Sequence, residues 1–516
     1  MKTEGKIPVI VGVTGHRNIR KGDEELLERR VREQLSLIKD ACPHSQVKLL
    51  CSLAEGGDTI CARAALGLGI PVIASLPFEA DEFRKDFSGE ALEDFNKLLS
   101  VSESVLVTPE TEFGKVKNRD YYYRQNGIYV ASHCHVLLAL WDGCEPKEDG
   151  CGAASAVLFA LEDDFETPFG VGIRPKGGTE VIHIATPRDT DGSSPAGEVR
   201  LLGDPEKTRE ILRKTDEFNA LVEKNNAAAD PLLGAVWSNA DSLSIKYAGR
   251  VGKLLMLLAI LGTGISFSFL MYDEAELHWM LFFCGIMLLA AFFFSRRCAK
   301  GRFQSRYVEY RVLAEMERIR SYLQLAGSAV RPEFLMGWTL QTDMPWIACA
   351  CAALSALPRA GEPQDIRECW IRAQRDYHAG ALEKSGAREK FSGGILNAAT
   401  LMSILTYVFA LVYEILVMKG LAAEIELVRT VIKIVLGTVS AGTLFISGYY
   451  GKLSLTRQNS DHEKMKRFYE RALEKLDKYG QTEELLSEIV REELDENGNW
   501  YSYRIEDSPG FDLDIG

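Results

Sequence analysis

Four short stretches of this chain carry residues suited to binding a charged ligand. They are Thr14-Gly15-His16-Arg17, Glu55-Gly56-Gly57-Asp58, Trp141-Asp142-Gly143, and the stretch from Cys151 to Ser155 that contains Gly152. Glycine lets a backbone approach a ligand closely and present its N–H groups. A helix N-terminus adds about half a positive charge. Together these features predict a site for a phosphate or ribose-phosphate group.

Each stretch also has a purely structural interpretation. The two adjacent glycines could form a plain turn, with Asp58 as the N-cap of the next helix. His16 could be a loop histidine with satisfied hydrogen bonds, Arg17 a surface charge, and Trp141 a residue that packs at the sheet edge. No GxGxxG or GxxxxGK[ST] pattern occurs, so the prediction depends on the four stretches lying together.

The alternation of apolar and helical segments predicts that they do. The predicted strands are 7–14, 47–54, 71–77, 104–109, 134–141 and 179–186, and the predicted helices are 23–41, 58–68, 81–99, 121–133 and 151–162. Nearly continuous apolar runs indicate strands covered on both faces. The expected fold is α/β, with a doubly wound, Rossmann-like parallel sheet. Ligands bind at the carboxyl ends of such strands, where all four stretches fall.

Composition excludes some classes of function. The formal net charge is −13 over 516 residues, which disfavours a nucleic-acid partner because phosphate backbones need a basic surface. The 11 cysteines have no zinc-ligand spacing. We therefore predict no metal site and expect buried, reduced thiols. Residues 1–8 lack the apolar core of a signal peptide.

The motifs "TGHR", "SLAEGGD" and "LALWDG…CGAASAVLFAL" resemble the SLOG superfamily, over roughly residues 5–190. This Rossmann-like group includes Smf-type proteins, "lonely guy" phosphoribohydrolases and the N-terminal domains of melastatin-type TRP channels. The resemblance implies a nucleotide-derived ligand, and the candidate residues that it adds or repeats are Gly15, His16, Arg17, Ser52, Glu55, Gly56, Gly57, Asp58 and Gly152. The phosphoribohydrolase signature PGGxGTxxE is absent, which favours sensing over cleavage, and we assign no catalytic residue.

Two pairs of apolar segments follow, at 254–271 with 279–294 and at 395–418 with 428–450. A helix of about 20 apolar residues spans a bilayer. Lysine and arginine precede the first segment and follow the second segment of each pair. The positive-inside rule therefore predicts that both ends of each hairpin, and both termini, are cytoplasmic. Alternatively, the first pair is a buried hairpin in a globular core. The second pair could be interfacial or buried, since it contains Glu414, Arg429 and Lys433 near its proposed outer ends.

An amphipathic helical pattern follows each apolar pair, around 303–316 and 465–476, which indicates an internal duplication. Thr263, Ser266, Ser268, Gly437 and Ala441 are candidates for close helix packing or pore lining. The segments "DEFN" (216–219), "YRVLAEMERIRSYLQLAG" (310–327) and "WIRAQRDYH" (370–378) resemble the SLATT family. That resemblance implies two-helix membrane effectors of bacterial conflict and antiphage systems, which oligomerise and permeabilise the inner membrane.

The predicted domains follow from these boundaries. They are a ligand-binding domain (1–190), a linker (191–206), a first membrane hairpin with its helix (207–330), a connector (331–375), a second hairpin with its helix (376–480) and an acidic, loosely ordered tail (481–516).

The predicted function is a nucleotide-ligand sensor coupled to a membrane effector. It would act as a homo-oligomer in the bacterial inner membrane, with the lipid bilayer and a nucleotide as partners and without nucleic acid. An ADP-ribose derivative, a cyclic nucleotide and a mononucleotide all fit as ligands. Two alternatives remain: a membrane-tethered nucleotide N-glycosidase that uses Glu55 and Asp58 as its acid pair, and a passive membrane-anchored nucleotide-binding module.

Overall fold

The computed structural model describes residues 5–110, 117–146, 150–162, 165, 179–190, 195–225, 227–357 and 362–506. The chain divides into two compact units. The first comprises Met1–Ser242, Arg311–Asp365 and Gln481–Gly498, and the second comprises Leu243–Tyr310, Ile366–Gly480 and Asn499–Gly516.

The first unit contains a sheet that, over the described residues, has seven strands. They are β1 (Val9–Gly15), β2 (Val47–Cys51), β3 (Val72–Leu76), β4 (Ser104–Val107), β5 (Val136–Trp141), β6 (Glu180–Ala185) and β7 (Val199–Leu202), in the order β4-β3-β2-β1-β5-β6-β7. All neighbouring pairs are parallel except β6 with β7. The chain runs outward from β1 to β4 and then returns to β5 on the other side of β1. The predicted doubly wound sheet is confirmed, and its switch point lies between β1 and β5.

Helices cover both faces of this sheet. They are α1 (Glu24–Ala41), α2 (Gly57–Gly67), α3 (Ala80–Phe83), α4 (Gly89–Val101), α5 (Arg119–Ser132) and α6 (Ala153–Glu162). Alternate residues of β1 point to opposite faces: Val9 and Val11 pack in the apolar cluster that includes residues of α1, α2 and α4, whereas Ile10 packs with α5 and α6. The predicted helix 81–99 is interrupted by a 3-10 turn at Arg84–Asp86, and α4 begins at Gly89, whose φ is +56°.

A seventh helix, α7 (Pro205–Val222), carries the DEFN segment and holds the amino ends of two strands. Asn219 is fully buried; its Oδ1 accepts from the Ile7 N–H at 2.9 Å and its Nδ2 donates to the Ile7 carbonyl at 2.8 Å. Asp216 accepts from the His44 N–H at 2.9 Å and from the Ser45 hydroxyl at 2.7 Å. These bonds attach α7 to the sheet, so the DEFN segment belongs to the first unit.

Three segments outside the predicted ligand-binding domain and hairpins contain regular structure. The predicted linker contains β7, an edge strand of four residues, which is too short to show an alternating pattern. The predicted connector contains α11 (Pro332–Leu335), α12 (Trp338–Asp343) and α13 (Pro345–Ser355). The predicted loose tail was wrong over α17 (Glu483–Glu506), because Leu486, Ile489, Val490 and Leu494 form a buried stripe among its acidic residues. Residues 507–516 lie outside the described part.

The remaining helices are α8 (Gly234–Asp273), α9 (Met280–Gly301), α10 (Phe303–Ala326), α14 (Ala373–Met418), α15 (Glu426–Leu453) and α16 (Leu455–Tyr479). Within the described residues, four stretches of helix are long and apolar enough to cross a membrane, one for each predicted segment. In the apolar part of each stretch, at most 11% of the residues are buried. Large side chains such as Phe282 (76% exposed) and Leu289 (70% exposed) face outward. A buried core hairpin is therefore excluded for both pairs, and the chain has the features of a membrane protein.

The two hairpins repeat one backbone pattern. In each, two long helices are followed by a single residue in the left-handed region and then by a further helix. That residue is Arg302 (φ +48°) between α9 and α10, and Ser454 (φ +51°) between α15 and α16. Its N–H donates to the carbonyl three residues earlier in both cases, at 3.0 Å. This shared geometry agrees with the predicted duplication.

Glycines bring α8 of the first hairpin close to α15 of the second. A Cβ on Gly262 would lie 2.6 Å from the Phe445 ring, and one on Gly437 would lie 2.7 Å from Leu270. Small residues permit such close packing in lipid, where helices associate through van der Waals contact rather than through exclusion of water. Gly437 is thus a packing residue. The Thr263 hydroxyl donates to its own helix, to the Ala259 carbonyl at 3.0 Å.

The charged residues of the second hairpin are paired. Arg429 makes two bonds of 2.7 Å to the Glu414 carboxylate and also contacts Glu424. Lys433 donates to Glu274 at 2.7 Å. Pairing lowers the cost of placing charges near the apolar region, so these residues are compatible with helices that span the membrane.

Replacing Gly437 by valine should loosen the contact between α8 and α15. The added side chain would overlap Leu270, and overpacking of this kind costs about 1–3 kcal/mol. We expect a lower thermal midpoint for the detergent-solubilised full chain. Gly448 on the same helix is the matched control, since nothing lies within 4 Å of the position that its Cβ would occupy; equal effects of Gly437→Val and Gly448→Val would contradict the packing role.

Candidate functional site

A cavity of about 250 Å³ lies in the first unit, at the carboxyl ends of β1 and β2 and beside α5 and the start of α6. Six of the predicted site residues line it: Thr14, Gly15, Arg17, Ser52, Asp58 and Gly152. Seven do not: His16, Glu55, Gly56, Gly57, Trp141, Asp142 and Gly143. The prediction therefore located the edge of the sheet, but only about half of its residues contribute to the wall of this cavity.

The glycines after β1 and β2 allow two loops to touch. A Cβ on Gly15 would lie 2.8 Å from the Gly57 Cα, and one on Gly56 would lie 2.3 Å from the His16 carbonyl oxygen. Gly56 has a φ of +89°, which disfavours any side chain. The Gly57 N–H donates to the His16 carbonyl at 2.9 Å. The expectation that the Gly57 amide is presented to a phosphate was wrong, because this amide bonds the neighbouring loop instead.

His16 joins the ends of β1 and β5. Its Nε2 accepts from the Asp142 N–H at 3.0 Å and lies 3.1 Å from Asp142 Oδ2, which also accepts from Arg188 at 2.7 Å. Burial by itself would raise the pKa of Asp142, but hydrogen bonds from the Cys144 N–H and from Arg188 hold it well below its usual range. His16 is thus a satisfied loop histidine that fixes the switch point.

Trp141 packs at the sheet, as its structural interpretation predicted. Its ring lies 5.0 Å from the ring of His183, and its carbonyl accepts from the Thr186 N–H and from His183 Nε2, both at 2.9 Å. Gly143 follows with a φ of +83°. These residues shape the end of β5 and lie outside the cavity wall.

Asp58 and Glu55 have different surroundings. Asp58 is 4% exposed and accepts from the Ala54 N–H at 3.3 Å. It is not the N-cap of α2, because Gly56 occupies that position. Burial raises the pKa of Asp58 to about 7, against the opposing effects of the Ala54 hydrogen bond and the positive charge of Arg17. Glu55 is exposed, so the two carboxylates do not meet in the cavity as the N-glycosidase alternative requires.

Arg17 supplies the cationic group of the cavity. Its guanidinium lies 5.1 Å from the centroid of the Tyr123 ring, a distance at which cation–π attraction operates. It is 42% exposed and lies 4.0 Å from Asp86 Oδ2. A long ion pair in contact with water is weak, which leaves the guanidinium able to bind an anion.

The start of α6 borders the same cavity. Cys151, Gly152 and Ala156 are part of the wall. Gly152 has a φ of +99°, and nothing lies within 4 Å of the position that its Cβ would occupy. A ligand can therefore approach this backbone without obstruction, and the partial positive charge of the helix N-terminus favours an anion there.

Sequence analysis missed Asn126, which organises the cavity floor. Its Oδ1 accepts from the Ser52 hydroxyl at 2.5 Å, and its Nδ2 donates to the Ser75 carbonyl at 2.8 Å and to Thr108 Oγ1 at 2.7 Å. Asn126 is 5% exposed. This network connects the ends of β2, β3 and β4, so Asn126 positions the site. The sequence feature that could have identified Asn126 is a polar amide side chain in the middle of a helix that should present an apolar face to the sheet.

A smaller cavity, of about 130 Å³, lies near the start of β5. The Ile10 N–H donates to His135 Nδ1 at 3.1 Å, so the proton of the neutral ring is on Nε2, which has no hydrogen-bond partner among the described residues. Burial lowers the pKa of His135 to about 4. A metal ion on Nε2 would require the proton to move to Nδ1 and would break the bond to Ile10. The described residues contain no group of three or more metal-ligating side chains.

The cysteines agree in part with the prediction of buried thiols. None of the cysteines in the described residues forms a disulfide bond. Most of them are buried, but Cys144 is exposed.

Replacing Gly56 by alanine should unfold or strongly destabilise the first unit. The positive φ alone costs about 1–2 kcal/mol for a residue with a Cβ, and the overlap with the His16 carbonyl adds to it. Gly22→Ala is the control, since nothing surrounds that position. Thermal unfolding of the full chain in detergent measures both; a Gly56→Ala midpoint equal to that of Gly22→Ala would refute the loop-contact role.

The buried carboxyl group of Asp58 should make the folded chain less stable as the pH rises from 4 to 7. The folded chain keeps the Asp58 proton up to about pH 7, whereas the unfolded chain releases it near pH 4, so the free energy of unfolding falls across this window by about 1.4 kcal/mol per pKa unit. Asp58→Asn removes the effect. We expect its thermal midpoint to match the wild type at pH 4 and to exceed it at pH 8. Buried histidines make the folded chain more stable as the pH rises, but they do so equally in the wild type and in Asp58→Asn. A difference in thermal midpoint between the two proteins that does not vary with pH would disprove the assignment.

The chain matches no protein-family model, and a search of curated proteins finds no relative.

Proposed function

We propose that the first unit binds a nucleotide-derived anion in the 250 Å³ cavity and that occupancy changes the membrane helices, so that the protein is a ligand-gated membrane effector. One observation carries the proposal. Arg17 and the start of α6 border the same cavity at the switch point of a doubly wound sheet, and the same chain contains four helices able to cross a membrane.

The chemistry of the cavity suits a phosphorylated sugar. Arg17 and the N-terminus of α6 would bind the phosphate. Asp58, protonated below about pH 7, can donate to or accept from a ribose hydroxyl, and Tyr123 offers a ring for a base. The cavity volume is below the usual range for drug-sized ligands, about 300–1,000 Å³. This favours a mononucleotide or cyclic mononucleotide over an ADP-ribose derivative.

The coupling would run along β1 and out through α8. The carboxyl end of β1 borders the cavity, and Ile7, just before its amino end, is held by Asn219 of α7. The next helix, α8, is the first of the chain segments that lead from the first unit to the second. A ligand shifts this equilibrium only by its differential affinity for two states, so closure of the loops around the ligand must favour one arrangement of the helices.

By resemblance to the SLATT family, the membrane would be the bacterial inner membrane. The flanking lysines and arginines favour an orientation with both termini in the cytoplasm. The apolar faces of α9 and α14 are exposed within one chain, which leaves surface for lipid and for a second copy. By resemblance to the SLATT family, oligomerisation would then permeabilise the membrane during phage infection.

Arg17→Ala should weaken nucleotide binding without unfolding the protein. We expect calorimetry on the detergent-solubilised full chain to detect AMP or cyclic AMP binding, weakened at least about tenfold by the variant, which corresponds to about 1.4 kcal/mol. The control is Arg200→Ala, which removes an arginine from β7 on the protein surface. Absence of binding by AMP, cyclic AMP and ADP-ribose, or equal loss in both variants, would overturn the proposal.

Dye release from liposomes separates gating from passive anchoring. A gated effector releases dye when the bound nucleotide is added, and Arg17→Ala removes this response. Nucleotide binding without release would indicate a passive module. Dye release that is the same with and without nucleotide, and the same in the wild type and in Arg17→Ala, would contradict gating.

A further inference from the structure

The second unit contains a cavity of about 560 Å³ bordered by residues of α8, α10, α14, α15, α16 and α17. Its wall includes Arg388 of α14, Lys452 of α15 and Arg504 of α17, and the described residues that line it include no carboxylate. Three positive charges therefore border one space. Such an arrangement favours an anion, because an anion between like charges offsets their mutual repulsion.

Arg388 is the cation of this wall best placed to bind an anion. Among the described residues, no carboxylate lies within ion-pair distance of it. Its neighbour Glu389 is engaged elsewhere, where it accepts from the Thr456 hydroxyl at 2.6 Å and from Asn459 at 2.5 Å. Arg504 donates to the Lys452 carbonyl at 3.3 Å, a bond that holds its guanidinium at the same end of α15.

The cavity lies at the ends of the apolar segments. Val251 precedes the first segment and Leu255 belongs to its start, Phe391 precedes the third, and Tyr449 and Tyr450 end the fourth. Tyrosine and basic residues are enriched at this depth, where headgroups meet the acyl chains. The wall is therefore cationic and apolar at once, which matches a phosphate attached to hydrocarbon better than a fully hydrated anion.

We propose that this cavity binds the phosphate headgroup of an anionic phospholipid. The phosphate would lie between Arg388 and Lys452, with the acyl chains along Val251 and Phe391. Basic pockets between membrane helices on the cytoplasmic side bind such headgroups, and the volume is within the usual range of ligand sites, about 300–1,000 Å³. The proposal goes beyond the nucleotide function and requires only that the four apolar helices span a bilayer.

Native mass spectrometry of the detergent-purified full chain tests it, with phosphatidylglycerol and phosphatidylcholine of identical acyl chains as probes. We expect phosphatidylglycerol to be retained at least about fivefold more than phosphatidylcholine. Arg388→Gln and Lys452→Gln should each reduce that retention several-fold. Lys390→Gln, which removes an exposed charge from the same helix but not from this wall, should leave it unchanged.

A second pair of variants tests the cavity without changing charge. Gly252 lines it, and nothing lies within 4 Å of its Cβ position, whereas Gly249 is equally open but lies outside the wall. Gly252→Val should occupy part of the space and reduce lipid retention, and Gly249→Val should not. Equal retention of both lipids, or equal loss in Arg388→Gln and Lys390→Gln, would overturn the proposal. Displacement of the lipid by millimolar inorganic phosphate would instead identify a site for soluble phosphates and overturn the lipid assignment.

Discussion

The direct contact between the backbones of Gly15 and Gly57 is the constraint on which the candidate site depends. With no Cβ at either position, the loop after β1 lies against the start of α2, and the Gly57 N–H bonds the His16 carbonyl at 2.9 Å. The contact leaves Arg17 beside the cavity and turns the His16 ring toward β5, where Asp142 holds it. Two adjacent strands and the switch point are thereby joined into one rigid edge. The glycines permit this contact, and Gly15 also lines the cavity.

A similar constraint acts in the second unit. Gly262 and Gly437 bring α8 and α15 together, while few other side chains of the apolar helices are buried. In lipid there is no exclusion of water to drive helices together, so contact concentrates where side chains are small. The paired charges of Glu414 with Arg429 and of Lys433 with Glu274 add polar links near one end of the same helices.

The carboxyl and amino ends of the strands differ in how tightly the surrounding residues are packed and hydrogen-bonded. At the carboxyl edge, a cation, a helix N-terminus and a buried acid surround open space. At the amino edge, Asn219 and Asp216 fasten α7 to the strands with hydrogen bonds that leave little freedom. Buried, fully satisfied polar networks of this kind rigidify a fold. These bonds make α7, the helix that precedes α8, a firmly attached part of the sheet.

The sequence by itself determined the doubly wound sheet and the four apolar helices, because both depend on local periodicity and hydropathy that neighbouring residues express. It also located the edge where the glycines and Arg17 lie. Only the tertiary structure decided that Gly57 bonds a loop, that Glu55 faces solvent and that Asn126 connects three strand ends, since these depend on residues distant along the chain. The same holds for α17: its acidic composition indicates disorder, but its buried stripe from Leu486 to Leu494 gains stability only where other helices cover it.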